Sequence, residues 1–485
     1  MTPITLDLPY EADTTHLGQA LAHVLGAGDC VLLEGSIGAG KSHLARALIR
    51  ALRDADEEVP SPTFTLVQTY PGHPDIWHAD LYRLTHPDEV HELGLEAAFG
   101  DAICLIEWPD RLGAYTPENP IRLRLDAKGD GRVAHISVGA RPDSFSAALL
   151  AHLRALKADA FLTQAGWGDA RREALAQDAS TRSYARLWGE ATAIFMDAPP
   201  GQADSVADFV KVDQHLLALG LSAPKILAQD IAQGFLLLED LGDGLYPAVI
   251  AADPALEPSL YEAATDVLLL LQAHPAAADL PDLSAQEWAD AAGLVADWYV
   301  LAITGQAQGR AKIVAALAQA LTQLADGPRV MILRDYHVEN LLHLPERAGL
   351  ARVGVLDFQL AQMGQAGYDL VSLLQDARRD VPAQIEAAMI ARFAKARGLD
   401  LAAFQASYAA LGTLRALRIL GIFARLCLVG GKPKYLALIP RVWGQLQRNL
   451  SHPALADLRA ACDRFLPAPT DETLQRIRSQ CSPSP

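Results

Sequence analysis

The feature that most constrains this chain is the stretch GSIGAGKS at residues 35–42. It follows an apolar run typical of a strand, CVLLEG at 30–35, and it precedes HLARALIRAL at 43–52, whose apolar residues recur at helical spacing. A glycine-rich loop between a strand and a helix, with Lys-Ser at its end, is the full P-loop pattern. The sequence therefore predicts an α/β domain that binds a nucleotide.

The residue types of this loop suit a phosphate. Glycines let successive backbone N–H groups face the anion, and the start of the following helix adds its positive dipole end. Lys41 is expected to reach the outer phosphates, and the Ser42 hydroxyl is expected to bind Mg²⁺. The residues predicted to bind the nucleotide are Gly35, Gly38, Gly40, Lys41 and Ser42.

Length and composition limit the remaining possibilities. A chain of 485 residues is too long for one ordinary core, so two domains are the simplest expectation. The net charge of -17 disfavours direct tight binding to nucleic acid, which requires a basic face. The five cysteines are widely spaced and predict neither a disulfide framework nor a metal site. With no apolar run of membrane length, we expect a cytoplasmic protein that does not associate with membranes.

Two acidic residues in the first part of the chain follow short apolar runs. Glu107 ends the buried strand predicted for CLIEW, and Asp80 follows another short strand. Ligands of parallel α/β sheets collect at the carboxyl ends of the strands. Both residues are therefore candidate catalytic acids, and each can hold Mg²⁺ through water or orient an attacking water.

Three further motifs accompany the P-loop: SPTFTLVQTY at 61–70, HADLYRL at 78–84 and AICLIEWPDR at 102–111. Together the four motifs resemble those of TsaE, the small ATPase subunit of the bacterial tRNA threonylcarbamoyladenosine system. The resemblance implies ATP as cofactor, other protein subunits of that system as partners, and functional acids at Asp80 and Glu107. It also places Thr63 in a switch-like loop near the γ-phosphate.

A boundary is expected after this domain. Alternating runs around a KGDG turn predict a hairpin over 121–139, and residues 144–158 read as a helix that links two domains. We place the first domain at 1–157 and the second at 158–485.

The second domain contains LRDYHVENLL at 333–342, between strand-like runs RVMIL and RVGVLDF. This context puts Asp335 and Asn340 on a loop and Asp357 at the end of the next strand. Phosphoryl transfer uses a base that accepts the proton of the substrate hydroxyl, and an amide and a carboxylate that hold Mg²⁺. Asp335 is the predicted base, and Asn340 and Asp357 are the predicted metal ligands.

This loop and its surroundings resemble the aminoglycoside-phosphotransferase-like kinases, which implies an α+β fold with two lobes. QDASTRSYARL at 177–187 resembles their first hairpin over the phosphates and contributes Ser180. GFLLLEDLGD at 234–243 resembles the strand and hinge that receive adenine and contributes Glu239. The resemblance gives Asp369 a structural role.

The chain departs from that family at two places. The third strand carries Met196 and Asp197 where relatives commonly have a lysine for the α- and β-phosphates, and Lys211 is a candidate for that role. Leu333 and Arg334 precede the catalytic Asp where many relatives have His-Gly.

Within the family, LRDYHVENLL, LDFQ and GKPKYLALIPRVWGQLQRNL at 431–450 resemble the anomeric N-acetylmuramate/N-acetylglucosamine kinases. This resemblance implies a small amino-sugar substrate. Two alternatives stay open at this point. The acceptor hydroxyl can belong to an aminoglycoside, choline or an amino acid, or the second domain can be a regulatory module of the ATPase without catalysis.

Overall fold

The computed structural model describes residues 3–175, 182–201 and 205–482. The chain forms two compact units, Met1–Ala170 and Arg171–Pro485. The division lies later than the boundary expected between residues 157 and 158, because the helix expected to link the domains continues to Gln164 and packs within the first unit.

The first unit alternates strands and helices. Its strands are β1 (Ile4–Leu8), β2 (Cys30–Glu34), β3 (Val67–Tyr70), β4 (Ile76–Asp80), β5 (Ile103–Glu107), β6 (Ile121–Lys128) and β7 (Gly131–Ser137). Its helices are α1 (Glu11–Val24), α2 (Lys41–Leu52), α3 (Glu89–Glu92), α4 (Leu95–Asp101) and α5 (Asp143–Gln164).

The strands of the first unit form a mixed sheet in the order β1-β7-β6-β2-β5-β4-β3. The central strand β2 is parallel to β5 and β6, and β4 is parallel to β5. The predicted hairpin over 121–139 is confirmed, since β6 and β7 pair antiparallel. The carboxyl ends of β2, β4 and β5 consequently lie at one edge of the sheet, beside the start of α2.

The core of the first unit lies on both faces of this sheet. Successive residues of β2 point to opposite faces, as strand geometry requires. Val31 and Leu33 join one apolar cluster with residues of α1, α2 and α5, whereas Cys30 and Leu32 join a second cluster with residues of α4. A parallel strand covered on both sides reads as a continuous apolar run, which explains CVLLEG. The predicted α/β architecture is confirmed.

The second unit begins with strands and continues mostly with helices. Its strands are β8 (Arg171–Ala174), β9 (Ser183–Trp188), β10 (Thr192–Asp197), β11 (Ile226–Asp230), β12 (Phe235–Glu239), β13 (Arg329–Ile332), β14 (Leu341–His343), β15 (Val353–Val355) and β16 (Gln362–Gln365). Its helices are α6 (Val206–Ala218), α7 (Tyr246–Ala252), α8 (Glu257–Gln272), α9 (Ala285–Ala292), α10 (Leu301–Thr304), α11 (Arg310–Leu324), α12 (Tyr368–Leu374), α13 (Ala383–Ala396), α14 (Leu401–Leu428), α15 (Ile439–Leu450), α16 (Ala456–Phe465) and α17 (Asp471–Arg478).

Strands β8 to β12 form an antiparallel sheet in the order β11-β12-β10-β9-β8, and β13 pairs with β16 and β14 with β15. A continuous apolar core extends from the inner face of this sheet into the helices. The longest helix, α14, starts where the Asp400 carboxylate accepts a hydrogen bond from the Ala403 N–H at 2.8 Å. The predicted α+β organisation and the predicted helical character of LRALRILGIFARL are confirmed.

One feature of the second unit differs from expectation. The structure joins Cys427, in the last turn of α14, to Cys481 by a disulfide with the two Cα atoms 5.0 Å apart. The tail after α17 returns to α14, where the Ser482 N–H donates to the Leu428 carbonyl. The two cysteines are 54 residues apart, so their spacing held no local signal of this pairing.

Within the described ranges, no helix combines the length and apolar character that a bilayer span requires.

Candidate active sites

The predicted P-loop curves from the end of β2 to the start of α2. Gly35 and Gly40 have φ angles of 142° and 101°, which a side chain would strain. A Cβ on Gly35 would also lie 2.6 Å from the Leu125 carbonyl oxygen. The Lys41 ammonium is buried and donates to the carbonyl oxygens of Gly35 and Ser36 at 2.8 and 2.9 Å. The lysine therefore points into the loop rather than to solvent.

Two carboxylates face this loop from the neighbouring strands. Asp80 ends β4 and Glu107 ends β5, and the two residues are direct partners in the parallel pairing of these strands. Burial lowers the pKa of Lys41, while the negative charges of Glu107 and Asp80 act in the opposite direction. The structure therefore brings together the loop lysine and both predicted acids.

The predicted switch segment reaches the same place. The Thr63 hydroxyl donates to one oxygen of Asp80 at 2.8 Å, and the Tyr82 N–H donates to the other at 3.0 Å. Phe64, the next residue along, is 81% exposed. Asp80 is thus fixed by the segment that contains Thr63.

Sequence reasoning did not assign a role to His78. This residue is fully buried in β4, and its Nε2 lies 3.0 Å from the Glu107 carboxylate. Its Nδ1 has no hydrogen-bond partner among the described residues. Residues two apart in a strand share a face, so the position of His78 two residues before Asp80 was the available signal. His78 orients Glu107.

Trp108 covers the lysine. It follows Glu107 with a φ of 60°, and the Lys41 ammonium lies 4.2 Å from the centroid of its ring. An ammonium over an aromatic face is attracted by the ring quadrupole. The aromatic ring shields one side of the lysine from solvent.

The second site lies between β13 and β15. The Asn340 amide donates to the Asp335 carbonyl at 2.9 Å and approaches the Asp357 carboxylate at 3.4 Å. The other Asp357 oxygen accepts from the Gln359 amide at 2.7 Å. The predicted base and both predicted metal ligands therefore lie together, and Gln359 is an additional residue that orients Asp357.

Asp369 holds the loop that carries Asp335. It is completely buried in α12, and its carboxylate accepts from the Leu333 N–H at 2.6 Å and from the Arg334 N–H at 2.9 Å. Burial raises the pKa of Asp369 to about 7, and these two hydrogen bonds oppose the rise. Arg334 has a φ of 71°, an unfavourable conformation for a residue with a side chain. Asp369 stabilises that backbone conformation, which supports its predicted structural role.

We expect Asp369→Asn to loosen this loop. An asparagine can accept both hydrogen bonds only through one oxygen, so one buried N–H loses its acceptor at a cost of about 1–3 kcal/mol. Hydrogen exchange of a peptide covering 329–343 should become about 10- to 100-fold faster. Asp457→Asn, at an exposed position of α16, is the matched control and should leave that exchange unchanged. Unchanged hydrogen-exchange protection in Asp369→Asn would contradict the structural role of Asp369.

Electrostatics set Asp335 apart from a surface aspartate. Burial and the nearby charge of Asp357 raise the pKa of the Asp335 carboxyl, and three arginines, Arg334, Arg415 and Arg418, oppose this rise. A raised pKa makes a carboxylate a better proton acceptor. Among the described residues, no side chain forms a hydrogen bond with the Asp335 carboxylate.

Only some of the residues expected to contact the nucleotide in the second unit lie within the described ranges. Ser180 lies outside the described residues, as does the rest of 177–181, whereas residues 182–187 are described and lead into β9. Glu239 ends β12, where its carboxylate accepts from Arg347 at 2.7 Å and from the Lys225 N–H at 3.2 Å. Its predicted role in nucleotide binding stays a prediction.

The structure shows the surroundings of Met196, at the position of the missing lysine, and of Lys211, the candidate for its role. Met196 is buried in β10, paired with Leu236. Lys211 pairs with Asp208 at 3.0 Å on the same helix and lies 3.5 Å from the Asp279 carbonyl oxygen. These contacts place it on the outer face of α6.

Neither site is a preformed cage for a metal. Over the described part of the chain, no group of three or more His, Cys, Asp or Glu side chains gathers into a metal site. The oxygens of Asn340 and Asp357 are nevertheless of the type that Mg²⁺ prefers, and Mg²⁺ is usually held by one or two carboxylates together with phosphates. The residues present fit an ion that arrives with a nucleotide.

Comparison with known proteins separates the same two regions. Residues 8–134 match the family model for threonylcarbamoyl adenosine biosynthesis protein TsaE, and residues 171–411 match the model for the phosphotransferase enzyme family. An N-acetylmuramate/N-acetylglucosamine kinase of Caulobacter vibrioides is 42% identical over 366 residues, covering 64% of this chain and 96% of the relative. A protein of the same name from Pseudomonas aeruginosa is 36% identical over 311 residues, covering 60% of this chain and 89% of the relative. A tRNA threonylcarbamoyladenosine biosynthesis protein TsaE of Rickettsia bellii is 37% identical over 126 residues, covering 26% of this chain and 88% of the relative.

Proposed function

Because this chain belongs both to the TsaE family and to the N-acetylmuramate/N-acetylglucosamine kinase family, we propose that it is bifunctional, with a different ATP-dependent activity in each unit. The first unit hydrolyses ATP in support of tRNA threonylcarbamoyladenosine formation. The second phosphorylates an amino sugar. The observation that carries the proposal is the presence of two complete acid sites, one beside Lys41 and one around Asp335.

In the first unit, the P-loop binds the phosphates of ATP. Gly35, Gly38 and Gly40 give the loop its curve, and Lys41 exchanges its carbonyl partners for the outer phosphate oxygens. The Ser42 hydroxyl and Glu107 would hold Mg²⁺, which neutralises phosphate charge when bound.

The acids of the first unit act on the attacking water. His78 holds Glu107 in place, and Thr63 holds Asp80. Either carboxylate can orient a water toward the terminal phosphate, from which the P–O bond to ADP breaks as the bond to water oxygen forms. Trp108 excludes solvent from the side of Lys41 that it covers.

We propose that the first unit acts with other protein subunits rather than by gripping tRNA itself. The relatives are named for tRNA threonylcarbamoyladenosine biosynthesis, but a net charge of -17 offers little to neutralise a phosphate backbone. Nanomolar binding of tRNA to the purified protein at physiological salt would contradict this part of the proposal.

Glu107→Gln is expected to lower ATP hydrolysis by the first unit by at least about tenfold, while ATP affinity changes less than about threefold. Glutamine keeps the size of the side chain and can still contact His78, but it loses the charge that orients water or metal. Hydrolysis is measured by phosphate release and affinity by titration with a fluorescent ATP analogue. Glu118→Gln, in the loop before β6, is the control and should change neither. Loss of nucleotide binding in Glu107→Gln would make the residue structural.

In the second unit, Asp335 accepts the proton of the acceptor hydroxyl. As that proton leaves, the hydroxyl oxygen forms a bond to the γ-phosphorus of ATP and the bond from this phosphorus to the ADP oxygen breaks. Asn340 and Asp357 would hold Mg²⁺, which stabilises the charge of the phosphates when bound. Gln359 and Asp369 keep Asp357 and the Asp335 loop in position.

The proposed acceptors are N-acetylmuramate and N-acetylglucosamine, phosphorylated at the anomeric hydroxyl. The support is the activity for which relatives up to 42% identical are named, together with the complete acid site. A panel of both sugars, an aminoglycoside, choline and serine, assayed by ADP release, tests this choice. The two sugars should be preferred by about tenfold or more in kcat/KM. Preference for another member of the panel, or no transfer to any of them, would contradict the proposal.

A further inference from the structure

Helix α14 passes beside the catalytic loop of the second unit. A Cβ on Gly367, just before α12, would lie 3.2 Å from the Leu411 side chain of α14, and the Arg415 guanidinium donates to the Gln375 carbonyl just after α12 at 3.1 Å. Asp369, in the same short helix, holds the Arg334 N–H. This packing brings one face of α14 close to Asp335.

That face carries two arginines one helical turn apart. Arg415 and Arg418 are at i and i+3, so they project from the same side of α14. Arg415 is buried, whereas Arg418 is partly exposed. Together with Arg334, which precedes the base, they form an arginine cluster (Arg334, Arg415 and Arg418).

The arginine cluster lacks a matching anion. Among the described residues, neither Arg334 nor Arg418 has a side-chain hydrogen bond or an ion pair, and the buried Nε of Arg334 has no acceptor. Burial and the charge of Arg418 lower the pKa of Arg334, while Asp335 and Asp369 oppose this effect. Asp369 already accepts two backbone N–H groups, and Asp335 is the proposed base. An anion bound here would relieve the repulsion between Arg334 and Arg418.

The two proposed sugars differ in charge. N-acetylmuramate carries a lactyl ether with a carboxylate, and N-acetylglucosamine has a free hydroxyl at that position and no charge. With the anomeric hydroxyl of N-acetylmuramate at Asp335, its carboxylate, carried elsewhere on the same sugar ring, would be available to the arginine cluster. A guanidinium is well suited to a carboxylate because it can donate two parallel hydrogen bonds.

We propose that the arginine cluster binds the carboxylate of N-acetylmuramate, with Arg418 as the residue that distinguishes this sugar from N-acetylglucosamine. The inference rests on the proposed sugar kinase activity and adds a specificity determinant to it. Arg415, held by the Gln375 carbonyl, is the fixed part of the cluster, and Arg418 is the part that the substrate engages.

The test is a comparison of both sugars in one protein. Arg418→Gln should lower kcat/KM for N-acetylmuramate by about tenfold or more, chiefly through KM, because a hydrogen bond to a charged group is lost. For N-acetylglucosamine, the fall in kcat/KM should be at least about fivefold smaller, because only the influence of Arg418 on the charge of Asp335 remains, and this activity also reports that the variant is folded. Arg418→Lys should restore part of the loss. Arg425→Gln removes the same charge from an exposed position of the same helix and should change kcat/KM for neither sugar.

A neutral substrate gives an independent arm. The methyl ester of N-acetylmuramate retains the lactyl group without its charge, so Arg418→Gln should lower its kcat/KM no more than that of N-acetylglucosamine. An equal loss for both sugars would overturn the inference, since Arg418 would then act on Asp335 or on the transferred phosphoryl group. An unchanged ratio of the two sugars would overturn it as well. A wild-type protein that phosphorylates neither sugar would overturn the proposed function and this inference together.

Discussion

Asp335→Asn is expected to lower the turnover of sugar phosphorylation by about 100- to 10,000-fold, the range that a general base contributes. The substitution keeps the shape of the side chain and removes its ability to accept the hydroxyl proton. The fold should persist, because Asp369 holds the loop and, within the part of the chain that the structure describes, the Asp335 carboxylate makes no hydrogen bond. ATP affinity should change less than about threefold.

The measurement is ADP release under saturating sugar, together with ATP titration of the same preparation. Asp457→Asn serves again as the control for removing one negative charge from this unit. A loss of less than about tenfold in Asp335→Asn would mean that another group takes the proton.

Lys41→Ala is expected to reduce ATP hydrolysis by the first unit by about 100-fold or more, since it removes the buried cation of the P-loop that is proposed to bind the outer phosphates. Phosphorylation of the sugar should stay within about twofold of wild type, because a separate set of acids carries it. Both rates are measured on the full chain, the first without sugar and the second as sugar phosphate formed.

Lys128→Ala is the matched control. Lys128 is exposed and pairs with Asp7 at 2.8 Å, and a surface pair of this kind contributes little. The control should leave both rates unchanged. Loss of both activities in a folded Lys41→Ala protein would contradict separate sites.

Residues that lie close together in the chain were the ones that could be predicted. The P-loop spans eight residues, 35–42, and Asp335 and Asn340 are five positions apart, so their spacing together with the flanking strands predicts their chemistry. Strand ends could also be located, which is why Asp80, Glu107 and Asp357 were found. The architecture of the first unit followed from the strand and helix around the P-loop, whereas the two-lobed fold of the second unit was implied by the resemblance of its motifs to a kinase family.

Contacts between distant segments could not be predicted in this way. The pairing of His78 with Glu107 depends on which strands are neighbours, and the hydrogen bond from Arg415 to the Gln375 carbonyl depends on the packing of α14 against the segment around α12. The disulfide between Cys427 and Cys481 is likewise a product of tertiary structure. A single sequence specifies which residues a helix carries on one face, but not which loop that face meets.

The central claim is that one chain contains two separate sites, of which the second transfers phosphate to an anomeric hydroxyl. Phosphorus NMR of the full-length protein incubated with ATP, Mg²⁺ and N-acetylmuramate tests it most directly. The account predicts a sugar phosphate whose phosphorus couples to the anomeric proton, formed equally by wild type and Lys41→Ala and absent with Asp335→Asn. A product phosphorylated at O6, or an anomeric phosphate that persists in Asp335→Asn and disappears in Lys41→Ala, would contradict it.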